Sequence, residues 1–305
     1  MPKYDIVGHK KIWFAISLLV IIPGIICMFV RGFNFGIDFT GGTIIDLKFD
    51  RPVAIAEVRT SLARYNLEGS TIQLSGQDSG VETSENVMIR TTDLEEEQRK
   101  EVMSSLKSDV GDYTVLREEK VGATIGGELI TNAVLALVVS WVLIIAYVAY
   151  RFEFRFGIAA VLALIHDILI VLAVFSFTQR PVDSSFIAAL LTIVGYSIND
   201  TIVIFDRIRE NLKLHFGRNG DINELVNRSI FQTLTRSLYT VFTVMFTTAA
   251  LFFFGGDTTK DFAFALLVGF GSGCYSSIFI ASPLWVTFRN WSEKKRHQPR
   301  AAAAK

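Results

Sequence analysis

The stretch TIVGYSINDTIVIFDRIREN, residues 192–211, lies in an apolar run that opens at Ser185 and reaches the charged residues Asp206 and Arg207. As a helix, a run of that length spans a bilayer at about 1.5 Å per residue. The run nevertheless contains Asp200, roughly six residues or about 9 Å inside its charged end. A carboxylate at that depth costs on the order of 2.5–3.5 kcal/mol on insertion scales, so other groups must compensate its charge.

Asp200 shares a helix face with other polar residues. Thr192, Tyr196 and Asp200 are spaced at i, i+4 and i+8, which places them on one side of the helix. This stripe predicts a face that looks into a bundle or a wet cavity rather than at lipid. Two interpretations of Asp200 stay open: a functional intramembrane acid, and a structural carboxylate that only accepts hydrogen bonds.

The composition indicates a membrane protein. The chain has 305 residues, no formal net charge, 50% hydrophobic residues and a mean hydropathy of +0.40. Its apolar residues gather into six runs long enough to cross a membrane. Cys27 and Cys274 both lie in such runs, so neither a disulfide framework nor a metal site is implied. The sequence contains no GxxxxGK[ST], CxxC or HExxH motif, so we expect neither ATP hydrolysis, nor any enzyme activity, nor a cofactor.

Residues 31–125 form the only long polar segment, and their pattern predicts a ferredoxin-like α+β domain with the order β-α-β-β-α-β. A Gly/Ser/Asp loop is expected between the second and third strands. The predicted strands are Thr43–Phe49, Thr71–Leu74, Val87–Arg90 and Tyr113–Val121, and the predicted helices are Val53–Tyr65, which follows Pro52, and a second helix capped by Asp93 and running through Lys107.

The spans are separated by loops of unequal charge. With the N-terminus inside, the inner segments hold sixteen Lys and Arg residues and the two short outer links hold one each, Arg180 and Lys260. Both termini are therefore expected in the cytoplasm and the α+β domain outside it. The predicted spans are Ile12–Val30, Leu129–Tyr150, Gly157–Thr178, the Asp200 run, Arg236–Phe254 and Phe262–Phe288. The predicted regions are residues 1–30 (N-terminus and first span), 31–125 (outer domain), 126–288 (spans two to six) and 289–305 (tail).

Arg236 opens the fifth span, and three threonines follow it on one helix face at i+4, i+7 and i+11: Thr240, Thr243 and Thr247. An arginine with a ladder of hydroxyls would compensate the charge of Asp200 or conduct its proton. Asn199, which precedes Asp200, belongs to the same candidate site. The alternative is that Arg236 extends to the cytoplasmic headgroups as a topology charge. His166-Asp167, near the centre of the third span, would either relay protons or only form a hydrogen bond between helices.

Glycines predict two further features. Gly269 and Gly273, with Ser277, recur every four residues in the sixth span, which permits close helix packing. Gly41 and Gly42 predict a strained or hinge-like backbone at one end of the outer domain. At the other end, a similar flexible join is predicted at Gly122, Gly126 and Gly127, so the domain is expected to swing.

At these residues the chain resembles the SecF members of the SecD/SecF family, membrane subunits of the bacterial Sec preprotein translocase within the RND superfamily. Ala123 departs from the pattern, because a proline is expected there. The resemblance rests on FGIDFTGG (residues 35–42), VGATIGGEL (121–129), YRFEFRF (150–156), HD (166–167), GYSINDTIVIFDRIREN (195–211) and QTLTRSLYT (232–240).

The resemblance implies six spans, a ferredoxin-like periplasmic domain and use of the proton gradient late in protein secretion, with Asp200 as the intramembrane acid and Arg236 as its basic partner. It implies residence in the bacterial inner membrane and pairing with a SecD-like subunit. It also implies work with the SecYEG translocon, with YajC or YidC and with unfolded preproteins; nucleic acid is not expected. The alternatives are an RND-type exporter of lipids or small molecules, and a scaffold subunit without proton coupling.

Overall fold

The structure is a computed structural model that describes residues 4–75, 83–215 and 220–302. The chain forms two compact units. One comprises the residues up to Asn34, Leu135–Arg180 and the residues from Ser185 onward, and the other comprises Phe35–Val134 with Pro181–Ser184. The predicted Gly/Ser/Asp loop falls on residues 76–82, outside the described residues.

The smaller unit is built on a four-stranded antiparallel sheet in the order β3-β4-β2-β5, covered by two helices. This order, with a helix after the first and the third of the four strands, is the ferredoxin-like arrangement that the sequence predicts. The elements are β1 (Asn34–Phe35), α2 (Ile37–Thr40), β2 (Gly42–Ala54), α3 (Ile55–Ala63), β3 (Thr71–Ser75), β4 (Thr83–Thr91), α4 (Glu96–Asp109) and β5 (Tyr113–Val121), with α1 (Lys10–Val30) preceding them in the chain.

The core of this unit lies between the inner sheet face and the two helices. Ile45, Leu47 and Phe49 alternate along β2, and all three are almost completely buried. Val58 and Leu62 on α3, with Val102 and Leu106 on α4, cover them in one hydrophobic cluster. Burial of side chains of this size contributes roughly 1.5–3 kcal/mol each and stabilises β2 at the position where the sequence predicts a strand.

Two predicted helix starts are wrong. Pro52 and Val53 belong to β2, and α3 begins only at Ile55. The pairing with β4 shifts register between Lys48 and Val53, and such an irregularity accommodates a proline without an N–H. Asp93 does not cap the second helix, which begins at Glu96; its carboxylate instead lies 2.7 Å from Lys120 Nζ.

The larger unit is a helical bundle. Six helices of the described residues are long and apolar enough to cross a membrane, as the sequence predicts. The last of them is interrupted by a π-helical segment, Ser277–Ala281. The helices that follow the sheet are α5 (Ala123–Arg151), α6 (Phe154–Thr178), α7 (Ser184–His215), α8 (Ile222–Phe254), α9 (Asp257–Ser276) and α10 (Ser282–Ala302), with the short strand β6 (Pro181–Val182) between α6 and α7.

The third and sixth spans form the centre of the bundle, because most of their central residues are buried, whereas α1 and α5 expose most of theirs. Phe156 on α6 stacks on Trp285 of α10 with ring centroids 4.5 Å apart. At the other end of α6, the guanidinium of Arg180 lies 2.6 Å from Asp261 and 4.2 Å from the ring centroid of Phe264.

The helices that contain the fourth and fifth spans extend beyond the predicted apolar runs. The charged segment after Asp206 continues α7 as far as His215, and α8 begins at Ile222 instead of Arg236. Charged residues mark the end of an apolar run, but they are good helix formers, so the helix does not end with the run. The ion pair between Asp206 and Arg209, 2.7 Å at i and i+3, supports the added turns.

Candidate functional site

Asp200 lies on α7 facing α8. Its Oδ1 accepts a 2.5 Å hydrogen bond from the hydroxyl of Ser237. Its Oδ2 is buried and has no hydrogen-bond partner within the described part of the chain. A carboxyl group held at one oxygen and unsatisfied at the other is costly inside a bundle, which suits a group that takes up and releases a proton.

Arg236 precedes Ser237 on α8 but is exposed. Within the described residues it forms no ion pair within 4.0 Å, so the structure does not pair it with Asp200. Its side chain lines a groove of about 340 Å³ together with Ile202 and Val203, which follow Asp200 on α7. Arg236 is therefore near the acid along both helices without being bound to it.

The threonine ladder does not reach Asp200. Each hydroxyl donates to a backbone carbonyl of its own helix: Thr240 to Arg236 at 2.9 Å, Thr243 to Thr240 at 2.8 Å and Thr247 to Thr243 at 3.0 Å. All three threonines are exposed in this chain. The side chain that contacts Asp200 is that of Ser237, which the sequence analysis did not identify.

The other two residues of the predicted polar face, Thr192 and Tyr196, have different surroundings. Thr192 is exposed and donates to Ala188 O, whereas the ring of Tyr196 packs on Phe270 with centroids 4.5 Å apart. The Tyr196 hydroxyl is buried without a hydrogen-bond partner in the described residues. Asn199, which precedes Asp200, is exposed.

His166 and Asp167 form a second polar centre on α6. Asp167 is completely buried and accepts hydrogen bonds at both oxygens. His166 Nδ1 lies 3.1 Å from Oδ1, and His166 Nε2 lies 2.9 Å from the hydroxyl of Ser17 on α1. Three serines donate to the carboxylate: Ser272 to Oδ1 at 2.7 Å, Ser197 to Oδ2 at 2.7 Å and Ser276 to Oδ2 at 2.8 Å. No hydrogen bond or ion pair in the described residues joins Asp167 directly to Asp200.

The sequence analysis missed the serines that donate hydrogen bonds to Asp167 and Asp200. Ser272 and Ser276 are spaced at i and i+4 on α9, and Ser197 and Ser237 lie inside apolar spans. A serine in a span indicates a contact with another helix, since an unpaired hydroxyl is costly there, but it does not indicate which residue is contacted. Gly269 and Gly273, which the sequence analysis did identify on the same helix, lie on the neighbouring helix face.

The glycines of the last span pack against α7. A Cβ at Gly269 would lie 2.2 Å from Ile193 Cδ1, and one at Gly273 would lie 3.0 Å from Ser197 Cβ. These distances fit the close packing that the spacing predicts.

The glycines at the ends of the α+β domain differ from one another. Gly41 and Gly42 have φ values of 73° and 128°, which favour glycine. Gly126 and Gly127 lie inside the first turns of α5, so they do not form the flexible loop that the sequence analysis expected; Gly126 packs on the backbone of Phe39. Gly122 alone lies between β5 and α5.

Among the described residues, no group of three or more His, Cys, Asp or Glu side chains is placed to hold a metal ion. The fold and the site together define a polytopic membrane protein of six spans, with an α+β domain after the first span and a partly buried acid within its bundle. The chain belongs to the SecD/SecF family of protein export membrane proteins. The model of the family's C-terminal region matches residues 101–291, and the model of its GG motif matches residues 28–53.

Individual relatives match over nearly the whole chain. The protein translocase subunit SecF of Acidaminococcus fermentans is 53% identical over 289 residues, which cover 95% of this chain and 98% of that protein. The SecF subunit of Thermobaculum terrenum is 39% identical over 316 residues, covering 98% and 99% of the two chains. The crystal structure of SecDF from Thermus thermophilus, a translocon-associated membrane protein, superimposes with a TM-score of 0.85 at 40% identity. It covers 95% of this chain, which spans 39% of that longer one.

Proposed function

We propose that the chain is the six-span SecF-type subunit of a bacterial Sec protein translocase and uses the proton gradient to assist the late stage of protein export. Its relatives are named translocase subunits and match it over nearly their full length. The observation that carries the proton-driven part is Asp200, an acid inside a span with one oxygen bound to Ser237 and the other unsatisfied. Such an acid is a candidate proton carrier by default.

The proposed orientation has both termini in the cytoplasm and the α+β domain in the periplasm, on the charge count of the loops. A cysteine in place of Glu68, which is exposed in that domain, should react with a membrane-impermeant maleimide from the periplasmic side. A cysteine in place of Lys213, exposed near the end of α7, should react only after the membrane is opened. Labelling of the Lys213 position in intact spheroplasts would contradict the orientation.

In the proposed cycle, Asp200 moves between two sets of partners. Ser237 can donate to Asp200 in either form, whereas only the charged form attracts the guanidinium of Arg236, which has no ion-pair partner in the described residues. Because Arg236 is adjacent to Ser237 on α8, gain and loss of this attraction would shift α7 against α8. We assign the inner part of the proton route to the groove beside Arg236, whose lining includes the charged side chains of Asp206 and Glu210.

The outer part of the route is assigned to the exposed threonine face of α8. Thr240, Thr243 and Thr247 donate to their own helix but keep lone pairs for passing a proton. We place a SecD-like subunit against this face. The length of the Thermus SecDF chain, of which the present chain spans 39%, supports a second subunit of this kind. SecYEG, YajC or YidC and unfolded preproteins complete the proposed assembly.

The available energy sets what one proton can do. A proton crossing 100 mV yields about 2.3 kcal/mol, and each pH unit adds about 1.4 kcal/mol. Their sum is below the roughly 5.5 kcal/mol that inverts a 1:99 equilibrium. One proton therefore biases a movement of the periplasmic domain, and two protons, or a nearly balanced equilibrium, complete it.

The test is preprotein translocation in inverted vesicles that contain the chain and its SecD-like partner, with and without a protonophore. Asp200→Asn keeps the size and the Ser237 contact but removes the titration, so it should assemble normally and lose the protonophore-sensitive part of translocation. Asp200→Glu should retain part of it, because glutamate still titrates. Arg236→Lys should lose most of it, because lysine lacks the planar fork of donors.

The control is Glu224→Gln, an exposed carboxylate in the first turn of α8 that does not line the groove beside Arg236. It should behave like the unmodified protein. Full protonophore-sensitive translocation by Asp200→Asn would favour a scaffold subunit without proton coupling. An exporter of lipids or small molecules would instead leave translocation independent of this chain altogether.

A further inference from the structure

The hydrogen bonds of Asp167 connect three of the six spans, and its neighbour His166 adds a fourth. The carboxylate is fully buried, and each of its oxygens is within hydrogen-bond distance of two donors. Three of these four neighbours are serine hydroxyls that donate to the carboxyl group, and the fourth is Nδ1 of His166. We call this group of residues the Asp167 cluster: Ser17 on α1, His166 and Asp167 on α6, Ser197 on α7, and Ser272 and Ser276 on α9.

The cluster lies one turn from the proposed proton carrier. Ser197 precedes Asp200 by three residues, or about 4.5 Å along the axis of α7. Thr201, the residue after Asp200, shares a 2.8 Å hydrogen bond with Ser277. Ser277 begins the π-helical segment that directly follows Ser276. A movement of α7 at Asp200 would therefore displace two donors of Asp167: Ser197, on α7 itself, and Ser276, through the contact between Thr201 and Ser277.

Close packing leaves the helices little freedom to absorb such a movement. Gly273 allows α9 to approach α7 at Ser197, where a Cβ would lie 3.0 Å from the serine Cβ. On the other side of the cluster, Gly24 of α1 lies against Ala173 of α6, where a Cβ would approach to 2.2 Å. Packed interfaces of this kind move as units instead of deforming continuously.

The far end of the cluster is α1. Ser17 is buried and contacts His166 Nε2, so α1 is joined to Asp167 through the imidazole. Along the chain, α1 ends at Val30 and leads directly into the segment from Phe35 that begins the α+β unit. The cluster thus provides a continuous set of contacts from the helix of Asp200 to the helix that enters the outer domain.

We propose that Asp167 is a positioning residue whose hydrogen bonds couple α7 to α1, so that a change of charge at Asp200 is transmitted to the helix leading into the α+β domain. Asp167 does not itself carry the proton in this scheme. The groove beside Arg236 has no member of the cluster in its lining, which fits this role. The inference rests on the proposed function, since it takes Asp200 as the group whose charge changes.

The test measures backbone hydrogen exchange of residues 26–36 by mass spectrometry, on the full chain in complex with its SecD-like partner. Exchange is compared between proteins with Asp200 and with Asp200→Asn, in three backgrounds: unmodified, Ser197→Ala and Ser272→Ala. The two serines donate to Asp167 over the same 2.7 Å, but only Ser197 lies on α7. Ser272→Ala is therefore the matched control for the loss of one hydrogen bond.

We expect Asp200→Asn to change the exchange of residues 26–36 in the unmodified and Ser272→Ala backgrounds. In the Ser197→Ala background this response should fall about fivefold, the equilibrium effect of one buried hydrogen bond. The coupling is overturned if the unmodified protein shows no response, if the response survives in Ser197→Ala, or if both serine variants lose it equally, since equal loss indicates only a structural role.

A second pair of variants tests the coupling independently, in case Ser197→Ala does not fold. Ser17→Ala removes the α1 end of the cluster and should abolish the response, whereas Ser17→Thr keeps a hydroxyl and should restore it. A response that is unchanged in Ser17→Ala overturns the coupling. Exchange is measured without any secretion assay, so failure of the coupling and failure of Asp200→Asn to impair translocation are separate results.

Discussion

Replacement of Asp167 by alanine should strongly destabilise the bundle. The change removes the acceptor of four hydrogen bonds from a completely buried position. A buried donor left unsatisfied costs about 1–3 kcal/mol. Part of this is recovered, because Ser276 already lies 3.2 Å from the carbonyl of Gly273 and can donate there alone. The expected net loss is about 3–5 kcal/mol, as for other broken buried polar networks.

Thermal unfolding of the purified complex in detergent, followed by intrinsic fluorescence, measures this loss. At about 2–4 °C per kcal/mol, the midpoint should fall by roughly 6–20 °C. Asp167→Asn keeps one acceptor oxygen, so its unfolding midpoint should fall less than that of Asp167→Ala. Asp206→Ala is the control, because an exposed ion pair contributes about 0–1 kcal/mol. A midpoint for Asp167→Ala within about 2 °C of the unmodified protein would refute the structural argument.

Two other predictions concern regions outside the spans. Gly42→Ala should lower the unfolding midpoint by several degrees, because at Gly42 φ is 128° and a Cβ would lie 2.3 Å from a backbone carbonyl oxygen of the neighbouring strand. Gly69→Ala is the control and should not lower it, because a Cβ at Gly69 meets nothing within 4 Å. The Gly8 N–H and then the Asn227 amide hold the pKa of Asp5 below its ordinary value. Their contribution is therefore complete above the unfolded value of about 3.9 and is lost as the pH falls through the lower folded pKa. Unfolding midpoints of Asp5→Asn should thus differ from the unmodified protein at pH 7 and converge with it in strong acid.

The general architecture follows from the sequence because it depends on local patterns. Apolar runs locate the six spans, and β-branched content, as in Thr43–Phe49, locates the first long strand. The predicted helix start at Pro52 was wrong because proline also fits an irregular strand, and the pairing of distant strands decides between the two. The ends of α7 and α8 were missed because polarity reports the membrane boundary and not the end of helical hydrogen bonding.

The candidate site is predictable only in part. Asp200 stands out because a charge inside an apolar run is costly. Its partner does not stand out, because Ser237 is one residue after Arg236, and one residue is a rotation of about 100° around the helix. Which of the two faces α7 depends on the packing of the whole bundle, and no local pattern reports it. The surroundings of Asp167 were missed for the same reason: their serines come from α7 and α9, far apart in the chain.

The central claim, that Asp200 carries the proton, is tested most directly by proton movement itself. Proteoliposomes that contain the translocase with this chain, loaded with a pH-sensitive dye, should acidify or alkalinise when a preprotein is engaged under an imposed gradient. We expect this signal from the unmodified protein and from Glu224→Gln, and we expect Asp200→Asn to give only the leak of protein-free liposomes. Proton movement by Asp200→Asn at the rate of the unmodified protein would contradict the account.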